Sequence, residues 1–135
     1  MEEKAMIAAK ELINKISIVR YKEIPVRIES VEPQYCVCNI DGKLMQIPYQ
    51  DLYPILLSDH ELIEQIFGYA GDDVYENNGN WYLLGWCNII SVYLNCKDTI
   101  VIDGAQVSDS LHIFQKKYYN QEKKHLPIKL LIKPD

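Results

Sequence analysis

Between residues 16 and 49, apolar and polar side chains alternate with a period of two. The stretches ISIVRYK (16–22), IPVRIESV (24–31), QYCVCNI (34–40) and KLMQIPY (43–49) all follow this rule. A period of two places every second side chain on the same face, the signature of a half-buried strand. Ile24, Val26 and Ile28 therefore share one face, as do Cys36, Cys38 and Ile40, with Tyr35 and Val37 on the other. The connections are short. Lys22-Glu23 can close a tight turn, Glu32-Pro33 interrupts a strand, and Asp41-Gly42 is a strong hairpin signal because both positions tolerate positive φ. Four short strands joined this way predict a small SH3-like barrel or a strongly bent meander.

The period then changes. Leu62, Ile63, Ile66 and Phe67 recur at helical spacing, with Asp59, Glu61, Glu64 and Gln65 between them. Ser58 and Glu61 have the spacing of a capping box, Leu57 and Leu62 that of a hydrophobic staple, and Gly68 is a suitable stop. A second β region follows. Asn78-Gly79 predicts a hairpin, and residues 89–94 and 99–102 read as further strands. Ser108 precedes a second helix with Asp109 near its positive end, and Leu111, Phe114 and Tyr118 form its inward stripe. Residues 126–135 read as a last strand or a loose tail, and alanines and leucine over 3–13 predict a short opening helix. The predicted fold is α+β: an N-terminal SH3-like β-barrel, a capped central helix, and an antiparallel β-meander packed with a C-terminal helix. The 135 residues are read as one domain, with a barrel half over 1–55 and a mixed half over 56–135.

Composition fits this picture. Apolar residues make up 48% and charged residues 24% of the chain, ordinary values for a globular protein. No apolar run reaches the about 18 residues of a membrane span, and the opening MEEKAMIAAKELINK has no signal-peptide core. The expectation is a cytoplasmic protein whose cysteines are free thiols. Charge is unevenly placed. Residues 50–110 carry ten acids against Lys97 alone, whereas residues 111–135 carry six lysines against Glu122 and Asp135. An acidic middle repels long nucleic acids and attracts a basic partner.

Three segments carry a resemblance. They are Glu11-Leu12-Ile13-Asn14 at the opening, Asp51-Leu52-Tyr53-Pro54-Ile55-Leu56-Leu57-Ser58 before the central helix, and Ser110-Leu111-His112-Ile113-Phe114 in the last helix. In this order the chain resembles a family of small proteins from gut Bacteroidetes and their phages. The resemblance implies a barrel, helix, meander and helix in sequence, and a phage or mobile-element setting in a bacterial host cytoplasm. It implies no catalytic mechanism.

The chain has no Gly-rich phosphate loop, no H-E-x-x-H, no G-x-S-x-G and no EF-hand loop. Cys36-x-Cys38 does not have zinc-ligand or disulfide-exchange spacing, so both thiols are expected in the core. His60, His112 and His125 are far apart and read as solvated or capping histidines. A nucleophile pair of Cys87 or Cys96 with His112 requires a meeting in space. Asp72, Asp73 and Glu76 carry the oxygens a divalent cation takes, or simply line a solvated hairpin.

The aromatics Tyr69, Tyr75, Trp81, Tyr82, Trp86 and Tyr93 crowd the second β region. Tyr and Trp combine a flat apolar body with a polar tip, which suits recognition. Alternation sets Trp81 and Leu83 opposite Tyr82 and Leu84, so one set is expected inside and the other outside. The resulting expectation is a non-catalytic binding protein without cofactor or metal. Its candidate surface comprises Tyr75, Trp81, Tyr82, Trp86, Asp72, Asp73 and Glu76, and its partner is a protein. The alternative is a protein that binds or sequesters a small nucleotide, possible as a homodimer, with rings and the lysines of the last helix as the site.

Overall fold

The computed structural model describes residues 7–71, 74–86, 89–94, 98–102 and 109–130. Its first half is one antiparallel sheet built from β1 (Ile18–Tyr21), β2 (Ile24–Val31), β3 (Tyr35–Ile40), β4 (Lys43–Pro48) and β5 (Leu52–Tyr53). The order is β4-β3-β2-β1-β5, so the chain makes a four-strand meander and then returns to pair β5 with β1. A 3₁₀ turn at Tyr49–Asp51 provides the return. Tight turns set the register. Asp41 and Gly42 have φ of 54° and 85°, both left-handed, as a two-residue hairpin loop requires. Lys22 also takes a positive φ, between the paired residues Tyr21 and Ile24. A bulge between Ile28 and Ser30 bends β2 and helps the sheet curl into a half-barrel.

The curl encloses a small core of Ile7, Val19, Val26, Ile28, Cys36, Cys38, Ile47 and Leu52. The expected shared face of Val26 and Ile28 is buried, while Ile24 at the strand end is exposed. Cys36 and Cys38 are free and fully buried, as the alternation required.

The opening helix is shorter than expected. Among the described residues it is a single 3₁₀ turn, Ala9–Glu11. Side chains just beyond it compete with helical bonding. Ser17 Oγ accepts from the Ile13 N–H at 2.8 Å, and Asn14 Oδ1 accepts from the Val31 N–H at 3.0 Å. These bonds turn the chain toward β1 before a second helical turn can form.

The central helix is also short. α1 spans His60–Ile63, and its cap is Asp59, whose carboxylate accepts from the Leu62 N–H. Ser58 does not take that position. Leu62, Ile63, Ile66 and Phe67 are all buried, as their spacing predicted. Gly68, expected to stop the helix, instead opens the next strand, because α1 has already ended at Ile63 with Glu64 as its C-cap.

The second sheet is β6 (Gly68–Gly71), β7 (Val74–Asn77), β8 (Asn80–Trp86), β9 (Ile89–Leu94) and β10 (Asp98–Val101), each antiparallel to the next. Asn78 and Gly79 take φ of 54° and 86° in the β7–β8 turn. α2 (Leu111–Glu122) starts after Ser110 and ends at Lys123, which adopts the left-handed conformation. The expected cap Ser108 lies outside the described residues. Leu111, Phe114 and Tyr118 face inward. They join Tyr75, Tyr82, Val92, Ile63, Ile66 and Phe67 in the larger core. Phe67 meets Tyr82 edge to face, with ring centroids 5.0 Å apart.

Residues 126–130 form no strand, yet they are not loose. Leu126 and Ile128 are buried. Asn77 acts as a substitute strand for this segment. Its Nδ2 donates to the carbonyls of Lys129 and Ile66, and its Oδ1 accepts from the Lys129 N–H, all at 2.8–2.9 Å. Arg27 Nη2 donates to the Ile128 carbonyl at 2.7 Å, which ties the segment to the first sheet. No helix among the described residues is long and apolar enough to cross a membrane.

Candidate functional site

The register of the second sheet sorts the candidate aromatics. Tyr75 pairs with Tyr82, and Tyr82 with Val92. All three belong to the inner row and are buried. Tyr75 and Tyr82 were expected on the binding surface; they instead fill the core between sheet and helix. Their hydroxyls are satisfied there. Tyr82 Oη donates to the Pro127 carbonyl, and Tyr75 Oη lies 2.7 Å from His60 Nδ1. Burial pushes the Tyr82 hydroxyl well above the usual phenol range.

The outer row is different. Gly68 pairs with Glu76, Glu76 with Trp81, Trp81 with Tyr93, and Tyr93 with Thr99, so one line crosses all five strands. Trp81 stands on the central strand and is half-buried, and Glu76 beside it is half-buried too. Val74 and Val101 lie on the same face in the next row, Val101 exposed. Glu76 already has a structural task, since its carboxylate accepts from the Gly79 N–H at 2.8 Å and braces the Asn78-Gly79 turn. Trp86 holds a place in β8 after a bulge, paired with Ile89. Asp72 and Asp73 lie outside the described residues, as do Cys87 and Cys96. Of the expected acidic, aromatic surface, the structure therefore brings together Trp81 and Glu76.

The histidines occupy three distinct environments. His60 is exposed and stacks on Tyr75. His125 is exposed and stacks on Tyr119 at 4.7 Å. His112, expected as a solvated or capping residue, is buried. Its Nε2 lies 3.0 Å from Glu11 Oε1 and its Nδ1 lies 3.2 Å from Ser110 Oγ. Burial lowers its pKa, and the hydrogen bond and charge of Glu11 oppose that only in part. A serine, an imidazole and a carboxylate in a line invite comparison with a hydrolytic triad. Here Ser110 is itself buried in the helix start, so its hydroxyl is not open to a substrate. The trio joins the opening turn to α2.

The two core thiols are equally withdrawn from chemistry. Burial raises the pKa of Cys36 and pushes that of Cys38 to about 12, so neither forms the reactive thiolate near neutral pH. Among the described residues, no group of three His, Cys, Asp or Glu side chains is placed to hold a metal ion.

Sequence reasoning missed one surface feature. A cleft of about 460 Å³ lies between the first sheet and α1, lined by Arg20, Glu23, Tyr53, Pro54, Leu56, Asp59, Glu61, Leu62 and Gln65. Arg20 lies over the Tyr53 ring, 4.7 Å from its centroid, and donates to the Lys22 carbonyl at 2.9 Å. The residues come from three stretches, 20–23, 53–56 and 59–65, and the first lies about thirty residues from the others, so no local pattern announces them. The only sequence signal was the acidic bias of the middle third. No protein-family model, no curated protein and no solved structure matches this chain.

Proposed function

We propose that this is a non-catalytic binding protein that engages a protein partner through the outer face of its second sheet. The observation that carries this reading is the placement of Trp81. It occupies the central strand of the face turned away from the core, is only half-buried, and has a carboxylate as its cross-strand neighbour. A flat ring with an adjacent charge gives a partner both apolar area and orientation. The withdrawal of His112, Cys36 and Cys38 into the interior favours binding over catalysis at these groups.

Two finer readings belong to the same proposal. We read the first sheet as an SH3-like barrel. Support comes from the four-strand meander, the 3₁₀ turn before the last strand and the pairing of β5 with β1. The resemblance of residues 11–14, 51–58 and 110–114 to proteins of gut Bacteroidetes and their phages supports a phage or mobile-element setting.

The test is a capture experiment in bacterial extract with three baits: the native chain, Trp81→Ala and Glu76→Lys. A stoichiometric, salt-sensitive partner held by the native chain and lost by Trp81→Ala is the expected result. Equal recovery by all three baits removes the outer face from the reading.

A second reading, nucleotide binding, draws on the exposed Tyr119–His125 stack beside Lys123 and Lys124. It stands lower because the stack sits at the C-terminal end of α2, where the helix dipole opposes phosphate. A rise in melting temperature of several degrees with a nucleotide would bring it forward.

A further inference from the structure

We propose that the cleft between the first sheet and α1 is a second docking surface, shaped for a protein segment that carries a basic side chain next to an apolar one. It shares no residue with the outer face of the second sheet. Three features of the cleft lead to this occupant.

The first is its apolar wall. Tyr53 is 38% and Leu56 46% exposed, with Pro54 between them. Pro54 and its neighbours hold the backbone in place. Leu56 bridges to Ser110, and the Ile55 carbonyl accepts from the Leu111 N–H at 2.7 Å. The large apolar side chains are therefore presented to solvent from a fixed backbone, which limits the entropy lost when a partner covers them.

The second is its charge. Glu23 enters from the β1–β2 turn and Glu61 from α1, both exposed, and Asp59 stands at the start of α1. The ion pairs among the described residues join Lys117 to Asp109 and His112 to Glu11, so none of these three carboxylates takes part in one. Arg20, the one cation of the lining, is held against the Tyr53 ring and bonded to the Lys22 carbonyl, which leaves three carboxylates against one cation. Three carboxylates around an apolar wall attract a Lys or Arg side chain and repel phosphates, which selects a basic peptide over a nucleotide.

The third is the stacking site itself. The Tyr53 ring already accommodates one guanidinium. A planar cation from a partner can add to that stack or take the place of Arg20, and arginine suits this better than lysine because its fork is flat and weakly hydrated.

The probe is a fluorescein-labelled pool of short peptides containing only arginine, leucine and proline, read by anisotropy against the full chain. Controls are a glutamate, leucine and proline pool and an arginine and glutamine pool. The expected result is binding of the first pool, weakened by about tenfold or more in Glu23→Lys/Glu61→Lys, and weakened again by raising the salt. Both sites are exposed, and the circular dichroism spectrum should be unchanged. Trp81→Ala should bind the pool as the native chain does, which separates this surface from the one proposed above. Equal binding of the glutamate pool, full binding by the arginine and glutamine pool, or binding that ignores the double variant each overturns the proposal. So does a sedimentation experiment in which the native chain dimerises and the double variant does not, since the occupant is then a second copy.

Discussion

At the scale of single residues, the side chains that matter most to the architecture are polar and buried. Gln115 is the clearest. It is 1% exposed; its Oε1 accepts from the Ile18 N–H at 2.9 Å and its Nε2 donates to the Ile16 carbonyl at 2.9 Å. An amide here completes the backbone bonding of β1 on the edge opposite β2, where β5 pairs only with Arg20 and Tyr21. Gln115→Leu keeps much of the volume but strands both backbone groups, so it should cost about 1–3 kcal/mol in denaturant unfolding. A variant with an unchanged midpoint would show that water replaces the amide without loss. His112 adds a pH dependence. Burial lowers its pKa below the unfolded value of about 6.5, so the unfolded chain takes up a proton first as the pH falls. Stability is therefore intact above that value and declines through the window between it and the lower folded pKa. Glu11→Gln removes the charge that partly supports the protonated ring, so the melting temperature should fall more steeply on acidification than in the native chain. His112→Gln should flatten the same profile. Neither Gln115 nor His112 was legible in the sequence. Both flank the apolar stripe of α2, where polar residues normally face water, and their partners lie about a hundred residues away.

At the scale of elements, the cap of α1 provides a sharp comparison. Ser58 and Asp59 are adjacent, and either can begin a helix. The structure uses Asp59, through a rather long 3.3 Å bond to the Leu62 N–H. Asp59→Ala should therefore cost about 0.5–1 kcal/mol, while exposed Ser58→Ala should cost little. Chemical denaturation of the two variants distinguishes them, and the reverse order would return the cap to Ser58. The strands were far more legible than the helices, for a physical reason. A period of two together with Asp41-Gly42 or Asn78-Gly79 is a local signal that fixes both the turn and the register. The opening and central helices depend on competition. Asn14 and Ser17 divert the chain after one turn, and α1 ends at Ile63 with Ile66 and Phe67 buried in the turn that follows. The candidate surface shows the same division. Alternation correctly separated Trp81 from Tyr82, but which set faced the core depended on where α2 packs. The cleft was not legible because it is assembled by tertiary contact between β1, β5 and α1.

At the scale of the whole molecule, β1 is the wall between two cores. Neighbouring residues point to opposite sides of a strand, and here Ile18 enters the larger core while Val19 enters the smaller one. Gln115 fastens this strand to α2, and Arg27 fastens β2 to residue 128 of the closing segment. Neither core can be exposed without removing a wall of the other, so the two halves should unfold together. The chain offers a separate reporter for each half. Both tryptophans, Trp81 and Trp86, lie in the second sheet, while Cys36 and Cys38 are buried in the first. Across a urea titration, the midpoint of tryptophan fluorescence should coincide with the midpoint of pulse alkylation at Cys36 and Cys38, resolved by peptide mapping. Ile18→Ala should move both midpoints by the same amount, a shift equivalent to about 2–5 kcal/mol, because the deleted atoms belong to the shared strand. Thiols that become reactive at a urea concentration where the fluorescence is still native would mean that the half-barrel opens alone, and that β1 is a hinge between the halves.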